Sequence, residues 1–126
     1  MSPSKKIWIG WVMSALAAFP FIPSAVMKFM GIPQVIEGMT HLGWPLSALT
    51  WLKVLEISVA VIYLVPRTAV LGAILLTGYI GGAMATHLRI GEAVYLHIAI
   101  GLLVWGGLYL RDPRLQALLP LRKPLT

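Results

Sequence analysis

Residues 49–65 read LTWLKVLEISVAVIYLV, an apolar run interrupted only by Lys53 and Glu56. The run is close to the roughly 20 residues that carry a helix across the hydrocarbon of a bilayer. A charged side chain near the bilayer centre costs about 2.5–3.5 kcal/mol on insertion scales, so Glu56 is expected to face a bundle interior and to find a partner there. The whole chain of 126 residues holds only four acidic side chains. One of them in a greasy helix is the first candidate for a functional site.

Outward from this run the composition has the same character. The chain is 59% hydrophobic and 11% charged, against roughly 45–50% apolar and 25% charged for soluble domains. An all-α integral membrane protein follows, a four-helix bundle in a single membrane domain over 1–126. Its helices are expected at about 7–30, 49–65, 69–88 and 93–110, with an outer loop over 31–48. Pro20 and Pro23 lie inside the first run and predict a kink or a broken turn there. Lys5, Lys6 and the segment Ala15-Leu16-Ala17 have some features of a cleavable leader. The apolar sequence runs on to Met30, longer than a leader core, so a retained helix is favoured.

Basic residues set the expected orientation. Lys5 and Lys6 precede the first helix, Arg67 lies between the second and third, and Arg111, Arg114, Arg122 and Lys123 follow the fourth. The positive-inside rule puts both termini and the Arg67 turn in the cytoplasm, with the 31–48 loop and the 89–92 turn outside. The net charge of +6 is then a topology signal, and a nucleic-acid partner has no support. The expected setting is a multi-pass protein of a bacterial inner membrane, with the lipid bilayer as its first partner. The chain has no cysteine, which excludes thiol electron transfer and iron–sulfur ligation; no metal site is expected.

By depth, the titratable residues gather in the outer half. Lys28 lies near the end of helix one, and Lys53 and Glu56 lie within two turns of the start of helix two. Thr86 and His87 close helix three, and His97 falls a turn or two into helix four. Helical phase groups Ser14, Ala17, Phe21, Ser24 and Lys28 on one face, and Lys53, Glu56, Ala60 and Tyr63 on another. Lys53, three residues before Glu56, offers it a local ion pair, the plainest structural account of the carboxylate. Gly78 and Gly82 form a small-xxx-small face with Tyr79 beside it, suited to close helix contact within the bundle or between protomers of a homo-oligomer; contact within the bundle is favoured. In the outer loop, Val35, Ile36, Met39 and Leu42 recur at helical steps and predict a short interfacial helix, while Trp44 and Trp51 suit an aromatic belt.

The candidate proton-transfer residues are therefore Glu56, His97 and His87. The candidate ligand-binding residues are Lys28, Lys53, Tyr63, Tyr79, Thr86 and Trp51. Each has a plainer structural role beside it: lysines that snorkel to headgroups, histidines that cap or pack, and tryptophans at the interface.

The segments PSAVMKF of helix one, HLGWP of the outer loop, VLEISVAVIYLVPR of helix two and the span from GAILL to ATHL of helix three carry a resemblance. Together they make the chain similar to the DoxX-like family of small bacterial four-helix membrane proteins. Ala25 stands where such proteins often have glycine, and Pro20 and Pro23 are unusual for their first helix. The resemblance implies a membrane partner of redox enzymes linked to quinones, or a bundle that serves protein assembly. Two functional readings result. The first is an accessory or binding subunit with an outer-leaflet polar pocket for a lipophilic small molecule such as a quinone or lipid, serving a redox-enzyme partner. The second is a stand-alone acid–base enzyme, an isomerase or hydrolase of a lipid-soluble substrate, using Glu56 and a histidine.

Overall fold

The computed structural model describes residues 2–124, and over them the fold is all-α. Helix α1 spans Pro3–Ala18. It begins before the expected Ile7 because Ser2 caps it, its side chain accepting from the Lys5 N–H, and Pro3 occupies the first turn, where no donor is needed. The expected break follows at Phe19 and Pro20. Pro20 has no N–H for the Leu16 carbonyl, and Pro23 has none for that of Phe19, which takes the Ile22 N–H instead at 3.2 Å. The chain re-forms as α2 (Phe21–Met30) and stops at Gly31, whose φ of 65° is left-handed.

The helix expected in the outer loop is α3, Pro33–Leu42, with Pro33 in its first turn and Gly43 at φ 82° ending it. Then come α4 (Ala48–Leu64), a 3-10 turn at Pro66–Thr68, α5 (Ala69–Arg89) and α6 (Tyr95–Arg111). One element was not foreseen: the single turn α7, Pro113–Gln116. Asp112 caps it by accepting from the Arg114 N–H, and it buries Leu115. A four-residue helix has no periodicity of its own to read, so only its cap and Pro113 marked it.

Packing is antiparallel throughout. α1 lies against α6, α4 against α5, α5 against α6, and α2 against α4. The α1–α6 contact is close enough that a Cβ on Gly10 would meet the Gly107 carbonyl oxygen at 2.7 Å. A Cβ on Gly72 would lie 2.3 Å from the Tyr63 backbone, so α4 and α5 touch main chain to main chain beside their connecting turn. Gly78 and Gly82 do not play the close-contact role within the bundle expected of them: an added Cβ at either meets nothing within 4 Å. They lie on a different side of α5 from Gly72, beside a cavity that Leu52 and Leu55 of α4 also line, while Tyr79 on the Gly72 face still reaches Glu56 of α4.

Small side chains fill the interior, among them Ser14, Ala17, Ala25, Ala60 and Ala73, with Tyr63, Leu76 and Leu108 as the large buried members. Large apolar side chains such as Trp8, Phe19, Met30, Tyr95 and Leu102 point outward. Two helical runs, Pro3–Met30 and Pro66–Arg89, are long and apolar enough to cross a membrane, and Tyr95–Arg111 is a shorter apolar helix.

Candidate functional site

On α4 the residues Glu56, Val59, Ala60 and Tyr63 recur at steps of three and four and are all buried, so helical phase alone turns Glu56 inward. It is 1% exposed. Facing it, α2 buries Phe21 and Ala25 and carries Ser24 and Lys28 beside them. Lys28 Nζ donates to Glu56 Oε2 at 2.7 Å and to Ser24 Oγ at 2.7 Å. From α5, the Tyr79 hydroxyl donates to the same Oε2 at 2.7 Å. Three helices thus meet on one carboxylate oxygen. Removing one member of a buried pair costs about 3–5 kcal/mol, because the other charge is left without compensation.

This geometry corrects the local ion pair expected from Lys53. The Lys53 ammonium sits 4.9 Å from the Phe29 ring centroid, in a cation–π contact, and does not join Glu56. An exposed pair three residues apart on one helix is worth only about 0.2–0.5 kcal/mol. Lys28 approaches from a facing helix, is itself held by Ser24, and is 17% exposed; it satisfies the buried oxygen, and Lys53 is left to the surface. Ser24 is the site residue that the sequence reading undervalued. Its signal was its place four residues before Lys28 on the same face.

The remaining candidates divide by position. His97 lines a cavity of about 170 Å³ with Ser24, Lys28, Glu56 and Tyr79. A second cavity, of about 590 Å³, shares Lys28, Tyr79 and Ala83 with the first and continues along Leu55, Gly78 and Gly82 to Thr86 and His87. The His87 and His97 rings stand 4.9 Å apart. Tyr63 is elsewhere: its hydroxyl donates to the Val104 carbonyl at 2.7 Å and lies 2.9 Å from Ser14 Oγ. It is seven residues along α4 from Glu56, a distance of about 10 Å at 1.5 Å per residue, and belongs to the core. Trp51 is 79% exposed and lines neither cavity, since its face of α4 is opposite the buried stripe.

Helix α3 forms one wall of the larger cavity through Met39 and Leu42. It is tied down by polar contacts. Arg89 donates to the Leu42 carbonyl and His41 Nε2 lies 3.7 Å from Glu92 Oε2, while His87 at the end of α5 holds that carboxylate in place, its Nδ1–H donating to Glu92 Oε1 at 2.9 Å. The hydrogen bond from His87 holds the Glu92 carboxyl below its ordinary value, with help from the nearby His41. Among the described residues, no three His, Cys, Asp or Glu side chains gather as a metal site.

Two polar atoms near the ion pair are buried and have no partner among the described residues: Glu56 Oε1 and His97 Nδ1. Both residues line the smaller cavity. The arrangement is a polar cup with unused hydrogen-bonding capacity, adjoining an apolar trough.

No curated protein and no solved structure matches the chain. The segments that hold Lys28, Glu56, Tyr79 and His97 nonetheless fall within one family-wide match over residues 12–107, and the chain belongs to the DoxX-like family, a membrane-associated family.

Proposed function

We propose that this DoxX-like protein is a multi-pass protein of a bacterial inner membrane, with both termini in the cytoplasm. In this reading it is an accessory or binding subunit that holds a lipophilic molecule with a polar head, such as a quinone, for a redox-enzyme partner. The observation that carries the reading is the adjacency of two cavities that share Lys28 and Tyr79, the smaller one gathering Ser24, Glu56 and His97 and the larger one running along α5. A molecule with a compact head and an apolar tail matches that division.

The membrane setting is supported by the side-chain distribution. Small residues lie inside and large apolar ones outside, which suits a surface facing lipid tails rather than water. The basic residues divide in the same sense. Lys6 donates to Gln116 and Arg111 stacks on Trp11 at the end that holds the Pro66–Thr68 turn, as the positive-inside rule requires of a cytoplasmic face. The Glu56 site then opens towards the outer leaflet. A chain without cysteine passes no electrons through thiols, so redox turnover at this site draws them from the partner.

A second reading has one observation of its own. Glu56 Oε1 and His97 Nδ1 are both unpartnered and line the same cavity, as a carboxylate–imidazole pair in an acid–base isomerase or hydrolase would.

Native mass spectrometry of the protein extracted with its lipids tests the binding function. A discrete lipophile is expected on the wild type and depleted from Glu56→Gln. Identical bulk-lipid profiles on the two proteins would defeat the pocket reading.

A further inference from the structure

We infer that the head held in the Glu56 cup carries a hydroxyl hydrogen, so the site takes a phenol, a hydroquinone or another hydroxyl-headed lipophile in preference to a quinone or ketone. The inference rests on the pocket reading above and specifies its ligand.

The hydrogen-bond inventory of the cup carries it. Oε2 of Glu56 receives hydrogens from both Lys28 and Tyr79, an arrangement that suits an ionised carboxylate, which accepts and cannot donate. The Tyr79 hydrogen is spent there. The Lys28 ammonium gives one hydrogen to Glu56 and one to Ser24. Oε1, on a side chain 1% exposed, receives none from any described residue. A buried carboxylate oxygen without a donor is costly, and a ligand that brings a hydrogen removes that cost.

A ligand carbonyl would instead bring lone pairs towards a carboxylate oxygen already rich in them. The third Lys28 hydrogen and the Ser24 hydroxyl hydrogen would favour it, and those contacts would leave Oε1 as it was. His97 Nδ1 is the second buried atom without a partner in the cup. It accepts or donates according to which ring nitrogen carries the hydrogen, so the balance is set at Glu56. The capacity left unused on the buried carboxylate is thus acceptor capacity, and its complement is a donor. Size allows such a head: the cup holds about 170 Å³ and shares Lys28, Tyr79 and Ala83 with the trough of about 590 Å³ beside it. Gly78 and Gly82 leave that trough clear for an alkyl tail.

The test uses the full-length protein in lipid nanodiscs and three probes with the same alkyl chain: a 4-alkylphenol, the corresponding 4-alkylanisole, and the alkylbenzoquinone. Binding is measured by calorimetry against empty nanodiscs. A hydrogen bond to a buried charged acceptor predicts that the phenol binds roughly tenfold or more tightly than the anisole. The phenol is also expected to bind more tightly than the benzoquinone. Glu56→Gln is expected to shrink the phenol preference, while the wild-type comparison stands whether or not that variant folds. Anisole or benzoquinone binding as tightly as phenol would overturn the hydroxyl inference and leave the pocket standing. No probe binding above the empty-nanodisc level would overturn the pocket reading itself.

Discussion

At one end of the bundle Gly10, Gly72 and Gly107 are pressed against neighbouring main chain, while at the other Gly78 and Gly82 face open space. The tyrosines divide in the same way. Tyr63 is fully buried and spends its hydroxyl on Val104 and Ser14, whereas Tyr79 lines two cavities and spends its own on Glu56. So do the cations. Arg111 is stacked 3.9 Å from the Trp11 ring centroid at the closed end, and Lys28 reaches into the cup at the open one. The same residue types close one end and hold the other apart.

The largest effect expected of this contrast is at the glycines. In Gly72→Ala the new methyl would lie 2.3 Å from the Tyr63 backbone. Main chain cannot rotate away, so α4 and α5 must separate, a strain of about 3 kcal/mol, at the upper end of ordinary overpacking. Gly82→Ala meets no atom within 4 Å and is expected to be neutral or to stabilise α5 by up to about 1 kcal/mol. Thermal unfolding in detergent measures both. Equal effects would mean that the two ends do not differ as described.

The tyrosine pair is the next most sensitive. Tyr63→Phe strips the donor from the buried Val104 carbonyl and is expected to cost about 1–3 kcal/mol of stability. Its retention of a co-purifying lipophile should be unchanged. Tyr79→Phe leaves Glu56 paired with Lys28, so its stability loss should be the smaller and its lipophile retention the more reduced. The reverse pattern would move the site to the closed end.

The smallest effect concerns α3. Because the Glu92 carboxyl is held below its ordinary value of 4.5 by the His87 hydrogen bond, its contact with His41 of α3 keeps the carboxylate charge above that value. The tie is lost as the pH falls through the lower, folded value. Hydrogen exchange across 33–42 is therefore expected to quicken at acid pH below 4.5 before that of the core helices. In Glu92→Gln this extra acid step should be absent. An α3 that keeps its protection into that range would show that Met39 and Leu42, rather than the polar tie, hold the helix.

Much of this was legible in the chain. Apolar runs located the long helices, with ends moved by a few residues where Ser2 or Asp112 supplied a cap. The two prolines marked the break between α1 and α2, because a missing N–H is a local defect that no packing repairs. Helical phase turned Glu56, Lys28 and Tyr79 inward, and the larger cavity takes in Thr86 and His87. Phase turned Tyr63 inward too, though into the core rather than the cup, and it failed for Lys53. It states which residues share a face of one helix, and it is silent on how deep a given turn lies against its neighbours.

Composition and periodicity therefore determined an all-α chain with a costly carboxylate in an apolar helix, because the expense of a charge and the repeat of a helix are local properties. Tertiary structure alone decided that Lys28, not Lys53, answers Glu56. It also decided that Gly72 closes a contact while Gly78 and Gly82 leave one open. Those outcomes depend on which helices are neighbours and which face each turns to the other, and that is set by the sum of contacts along the bundle rather than by any one segment.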